Sequence, residues 1–190
     1  MPRHLFLAAL LIPSLAHADF NGAWVGWICP SGVERSSGQC ANFVLELMEK
    51  DGTLCGTHMF ATAGAERIDE GGAPSLTGEV TEAAASGVAV STLGPQPVRV
   101  RVALRVDGNT LRWERLDNPS GETLLPKQAR LTRSRSRTLF APLFEQELRA
   151  ACTYVFNLAA AAREPAIPGS AGEGAPAAPE AAPAAPPSAR

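Results

Sequence analysis

A chain of 190 residues with 17 Lys and Arg against 19 Asp and Glu carries a formal charge of -2, so its overall balance attracts neither a nucleic acid nor an anionic membrane. Its three histidines are His4, His17 and His58, and the first two fall in a segment expected to be removed. No multi-histidine zinc, copper or iron site can then be built within one mature subunit, and neither a metal nor a cofactor is expected.

Residues 1–18 combine a short basic start (Arg3, His4), an apolar run from Leu5 to Leu15, and small residues at Ala16 and Ala18. This is the pattern of a cleavable Sec-type signal peptide. Cleavage after Ala18 would leave a mature protein beginning at Asp19, with a charge of -3 once Arg3 is lost. The apolar run is too short to stay in a bilayer, and no cysteine follows it closely enough to be lipidated. A periplasmic or secreted protein without stable membrane insertion is expected. In that oxidising space Cys29, Cys40, Cys55 and Cys152 read as disulfides rather than as ligands or nucleophiles.

Residues 19–137 form the candidate domain. The segment from Val98 to Val106 alternates without a break, with Val98, Val100, Val102, Leu104 and Val106 on one face. Period two marks a half-buried antiparallel strand. A two-residue turn at Gly108-Asn109 would set Val106 opposite Leu111 and Leu104 opposite Trp113. The same test at Asp51-Gly52 sets Leu47 opposite Gly56, Leu45 opposite His58 and Phe43 opposite Phe60. Eight strands are expected, over 23–29, 42–49, 53–62, 75–81, 86–92, 98–106, 110–116 and 127–133. Their short connections favour an up-and-down meander closed into an antiparallel β-barrel, which removes exposed edges. A sandwich is the alternative, and the lack of long crossovers counts against it.

From Thr138 the period changes to three and four. Phe140, Leu143, Phe144, Leu148, Ala151, Cys152, Val155, Phe156 and Ala159 define an apolar stripe, and an amphipathic helix over 138–163 is expected, with Thr138 as N-cap and Pro142 in its first turn. It should pack on the outside of the sheet or across a barrel mouth. Trp27, opposite in parity to Trp24, is expected outside, beneath this helix, with an exposed interaction patch as the alternative. Residues 164–190 are rich in Ala and Pro and are expected to be a disordered tail. Four cysteines allow three pairings. Cys29 with Cys40 would close the loop between the first two strands, and Cys55 with Cys152 would fasten the helix to the sheet.

The opening Gly22-Ala23-Trp24, followed by an eight-strand meander, resembles the calycin group of lipocalins, avidins and similar small barrels. The resemblance implies that Trp24 closes one barrel end and that an arginine of the last strand covers it. Arg133 shares parity with Ala129 and Leu131 and matches that arginine better than Arg130 does. No ligand is carried over by so short a motif.

Trp24, Phe43, His58, Phe60 and Trp113 should all face inward, joined by Arg133. They read either as an apolar pocket with one titratable group or as the packed core of a barrel barely wide enough for its own side chains. No nucleophile elbow accompanies His58, so no catalytic residue is assigned, and a histidine bonded to backbone is the simpler reading. Asp69 and Glu70 fall in a loop with Arg67 and read as a solvated ion pair rather than as acid and base. On the outside, Arg99, Arg101, Arg105 and Arg112 project from one hairpin with Glu114 as the only counter-charge, and Arg135 and Arg137 extend the basic region. Arg105 would lie opposite Arg112, a costly placement unless an acid or an anionic partner offsets it. The expected function is therefore non-catalytic binding of a small amphipathic ligand or an envelope protein. One alternative is an inhibitor or accessory protein of an envelope hydrolase acting through the basic face. The other is a hydrolase using His58.

Overall fold

The computed structural model describes residues 19–164; the expected leader over 1–18 and the tail from 165 onward lie outside the described residues. In chain order the elements are β1 (Gly22–Ile28), β2 (Ala41–Lys50), β3 (Thr53–Ala61), β4 (Ile68–Glu70), β5 (Leu76–Thr81), β6 (Ala84–Ser91), β7 (Val98–Asp107), β8 (Thr110–Arg115), β9 (Gln128–Arg133) and α1 (Pro142–Arg163). Eight of the strands run antiparallel around a closed barrel in the order β2-β1-β9-β8-β7-β6-β5-β3, and β3 returns to β2. The short β4 is the addition that the sequence pattern did not foretell.

Hairpin registers follow from turn chemistry and alternation. At the β2–β3 turn both Asp51 and Gly52 have positive φ, 50° and 72°, which matches the twist of the flanking strands. That turn fixes Leu47 opposite Gly56, Leu45 opposite His58 and Phe43 opposite Phe60. The β7–β8 turn fixes Val106 opposite Leu111 and Leu104 opposite Trp113. Along β7 every valine of the alternating run is buried, while Arg99, Arg101 and Arg105 are exposed. Both hairpins thus fold in the register that their apolar faces require.

Closing a sheet this small demands sharp bends. Gly78 and Gly87 face each other across β5 and β6, and a Cβ on Gly78 would lie 2.3 Å from the Ser86 carbonyl oxygen. Glycine is what lets the strands approach and turn there. The interior is then filled by Trp24, Phe43, Leu45, Leu47, Leu54, Leu76, Val100, Val102, Leu104, Leu111, Trp113 and Leu131, with Phe20 and Leu125 completing the cluster.

The α1 helix packs on the outside of the barrel, against β3. Leu148 and Cys152 are its buried residues, meeting Cys55, Met48 and Ala73, with Val155 and Phe156 alongside. Three expectations for this region need correction. The N-cap is Ala141, not Thr138: the Thr138 hydroxyl donates to Glu46 Oε2 at 2.7 Å, so it is engaged by β2 and the helix starts at Pro142. Leu143 is 69% exposed and not part of the docked stripe, because at 3.6 residues per turn it lies about 140° around the helix from the buried Leu148. Trp27 is 40% exposed, with the Arg35 guanidinium 4.4 Å above its ring, because the helix lies over β3 and not over β1.

Two disulfides, Cys29–Cys40 and Cys55–Cys152, complete the fold. The second spans 97 residues and joins barrel to helix, whereas the first spans 11. Loop entropy gives about 4 to 5 kcal/mol for the long closure and about 3 kcal/mol for the short one. The double substitution Cys55→Ala/Cys152→Ala is therefore expected to lower the urea midpoint more than Cys29→Ala/Cys40→Ala. It should also reduce the helical circular dichroism, since two fully buried side chains hold the helix and one of them is the cysteine. An equal fall in both variants would show that the helix docks without its covalent tie.

Candidate functional site

The inward candidates converge on one another. The Phe43 ring lies 5.0 Å from Trp113 and 6.0 Å from Phe60. Trp24 Nε1 donates to the Phe20 carbonyl and Trp113 Nε1 to that of Pro126, each at 2.9 Å, so both indole donors are satisfied within the protein. Trp24, Phe43 and His58 have no accessible surface, Trp113 has 1% and Phe60 has 8%. Side chains with no water-accessible surface line no space that a ligand occupies. The interior at these residues is packed core.

Arg133 closes one end. Its guanidinium lies 4.2 Å over the Trp24 ring, the placement that the calycin resemblance implies, and the two residues are cross-strand partners in β1 and β9. Arg133 also donates to the carbonyls of Asn21 and Asp19 and reaches the Asp19 carboxylate at 3.3 Å. It thereby ties the segment before β1 to the last strand. A cation held on an indole face and bonded to backbone is a structural lid.

Elsewhere in the barrel β4 brings together three residues that the sequence had kept apart. Pairing with β3 sets Asp69 opposite Phe60, and the β4 alternation turns Asp69 inward and leaves Ile68 46% exposed. Asp69 is fully buried, which corrects the expectation of a solvated loop paired to Arg67; Arg67 bonds Glu122 instead. His58 is fully buried too, and its partner is a side chain rather than a backbone carbonyl: Nδ1 lies 2.8 Å from Ser75 Oγ. Ser75 Oγ also accepts the His58 backbone N–H at 3.1 Å and meets Thr57 Oγ1 at 3.2 Å. The other ring nitrogen, Nε2, faces Asp69 Oδ1 at 3.6 Å. Neither of these two atoms has another partner.

The other carboxylate oxygen, Oδ2, is well supplied. It accepts from Ser91 Oγ at 2.6 Å, Leu124 N at 3.0 Å and Thr123 Oγ1 at 3.4 Å. Burial by itself would raise the Asp69 pKa; the bonds from His58, Ser91 and Leu124 outweigh it and hold the carboxyl below its ordinary 3.8. Serine, histidine and aspartate thus stand in line. Hydrolysis needs a serine oxygen that substrate can reach, however, and Ser75 is 3% exposed with Oγ already accepting from the chain. The chemistry available here is that of a clasp binding β3, β4, β6 and the segment around Thr123.

On the outer face, Arg105 lies opposite Arg112, and Arg112 lies opposite Arg130. Three guanidinium groups therefore stand side by side across β7, β8 and β9. With the small residues Ala84, Ser86 and Ala103 they line a groove of about 920 Å³, and the next row of the same face, running Glu79, Ser86, Ala103, Glu114 from β5 to β8, brings two acids to it. No ion pair to these three arginines occurs among the described residues. The remaining basic candidates stand elsewhere. Arg101 is bonded to Asp117 through both its backbone N–H and its Nε, at 3.1 and 3.2 Å, and Arg99 lies beyond it, opposite Val90. Arg130 was weighed only as a rival to Arg133. Its parity, opposite to that of Leu131, was the signal that places it outside.

No family model, curated protein or solved structure matches this chain. The eight-stranded closed barrel is compatible with the calycin architecture. The two disulfides fit an oxidising, extracytoplasmic environment, and among the described residues no helix is long and apolar enough to cross a membrane.

The clasp has a pH signature. Because the folded Asp69 pKa lies below 3.8, its ionised form contributes stability above that pH, and the contribution is lost as the pH falls through the folded value. Asp69→Asn is expected to cost about 2 kcal/mol at neutral pH, because Ser91 Oγ and Leu124 N lose a charged acceptor. Its stability should also decline less steeply than that of the wild type below pH 3.8. Urea unfolding at a series of pH values measures both, and parallel acid limbs would show that Asp69 is not the group responsible.

Proposed function

We propose that this is an exported, calycin-type binding protein without catalytic activity, which engages an anionic partner in the periplasm or outside the cell through the outer face of β7, β8 and β9. The observation that carries the reading is the register of Arg105, Arg112 and Arg130: three cations in adjacent strands with no carboxylate paired to any of them among the described residues. Like charges directly opposite in a ladder are destabilising, so a bound anion would relieve a cost built into the fold. The leader expected over residues 1–18 and the two disulfides support an extracytoplasmic setting. An anionic envelope component and an acidic envelope protein, including a hydrolase that this chain would assist or inhibit, both suit such a face.

Binding inside the barrel has less support, because Trp24, Phe43, His58 and Trp113 spend their surface on one another. A hydrolase built on His58 would first have to open the Ser75 environment to substrate.

The test is capture from an envelope extract by the wild-type protein and by Arg105→Gln/Arg112→Gln. Both side chains are exposed and the substitution removes the repulsion between them, so the variant should fold with a melting temperature equal to or slightly above that of the wild type. Wild-type capture is expected at low salt and should fade as salt shortens the screening length, about 10 Å at 0.1 M. The variant should capture nothing. Capture that survives both the double substitution and high salt would move the site away from this face, and native mass spectrometry of the purified protein would then show any molecule held around Trp24, His58 and Trp113.

A further inference from the structure

The arginine row continues into an aromatic. In the β1–β9 ladder Trp24 is opposite Arg133 and Val25 opposite Thr132, so the same register carried two residues further sets Trp27 opposite Arg130. The strands are still in contact there, since a Cβ on Gly26 would lie 2.8 Å from the Arg130 carbonyl oxygen. Trp27 is 40% exposed, whereas Trp24 and Trp113 have 0 and 1%. Arg35 stands over its ring at 4.4 Å, from a loop closed at its base by Cys29–Cys40. Three guanidinium groups without an ion pair among the described residues thus lead to a partly exposed indole that has a fourth cation over its ring.

Resting on the binding reading above, we propose that this row is a site for an acidic oligosaccharide, with carboxylates on Arg105, Arg112 and Arg130 and one sugar ring packed on Trp27 in place of the Arg35 guanidinium. Spacing, groove shape and charge each contribute. Adjacent strands lie about 4.8 Å apart, so the three arginines and the indole form a strip of about 15 Å suited to a short, extended chain. Guanidinium pairs with carboxylate through two parallel hydrogen bonds, and an indole offers a broad face to the C–H surface of a pyranose.

The acids beside the row separate this ligand from a bare polyanion. Glu79 and Glu114, one row away on the same face, repel a molecule that is negative on every side but accept hydrogen bonds from sugar hydroxyls, and Ser86 between them serves these as well. A protein partner is less suited, because such interfaces are anchored by large side chains in desolvated pockets, and this groove presents the charged and polar side chains of Glu79, Ser86, Arg105, Arg112, Glu114 and Arg130.

The experiment titrates the protein with a linear tetramer of galacturonic acid, its uncharged methyl ester, and inorganic tripolyphosphate. Calorimetry and tryptophan emission are followed together, Trp27 being the exposed reporter. The tetramer should bind and change the emission, and the ester should bind about tenfold more weakly or worse. Arg112→Gln/Arg130→Gln should weaken the tetramer by a similar factor with an unchanged melting temperature. Trp27→Phe should remove the emission change while calorimetry still detects binding.

No binding of the tetramer, or equal binding of the ester, overturns the proposal. Tripolyphosphate binding as tightly as the tetramer also overturns it, in favour of a simple anion site. Arginine-dependent capture of an acidic protein from the extract, with no tetramer binding, sinks the saccharide and leaves the binding reading standing. Capture that ignores the arginines sinks both.

Discussion

Closure of the sheet on itself is the constraint from which the rest of the molecule follows. Once β2 is bonded to both β1 and β3, no strand of the barrel retains a free edge along its whole length, and every side chain on the eight strands is assigned to inside or outside by its parity. That division sends the valines of β7 inward and its arginines to solvent in a single step. A slip of one residue in any ladder would exchange the two sets. The turns at Asp51-Gly52 and Gly108-Asn109 hold the register against that slip.

A barrel of this size has little room to spare inside, and it is finished with two devices that are not purely apolar. Arg133 on Trp24 secures the segment before β1 to the last strand. The Asp69 clasp secures β4 and the Thr123 segment to β3 and β6. Both place a charged group over or within apolar surroundings, and both do so with that charge well supplied with partners, as burial demands. Ser75, His58 and Asp69 have the residue types of a hydrolytic triad, and all three are buried where they join these segments.

Outside, the chain uses charge differently. Arg101, Arg149 and Arg67 are each paired with a carboxylate, on Asp117, Glu145 and Glu122. The row of Arg105, Arg112 and Arg130 has no such partner among the described residues, although Glu114 stands only two residues from Arg112 on the same strand. Alternation along a strand puts residues two positions apart on one face, so Glu79 and Glu114 fall in the row next to the arginines. The result is a groove with a basic and an acidic row side by side on the outer face of the barrel.

The sequence by itself determined the barrel, because period-two alternation, turn residues and cysteine parity are local signals that point to the same closure. It determined the β2–β3 and β7–β8 registers, the existence of the helix, and the Arg105–Arg112 opposition. Both disulfides were among its pairings. What it left to the tertiary structure shares one physical feature: dependence on contacts between segments distant in the chain. The β4 strand was hidden because it buries an aspartate and exposes an isoleucine, the reverse of the pattern by which strands are recognised. Asp69 is stable inside because His58, Ser91 and Leu124, from 11 to 55 residues away, surround it. Thr138 was drawn from its cap by Glu46, 92 residues earlier. Trp27 and Arg130 became neighbours when the first strand met the last, and no local pattern announces a meeting that depends on closure.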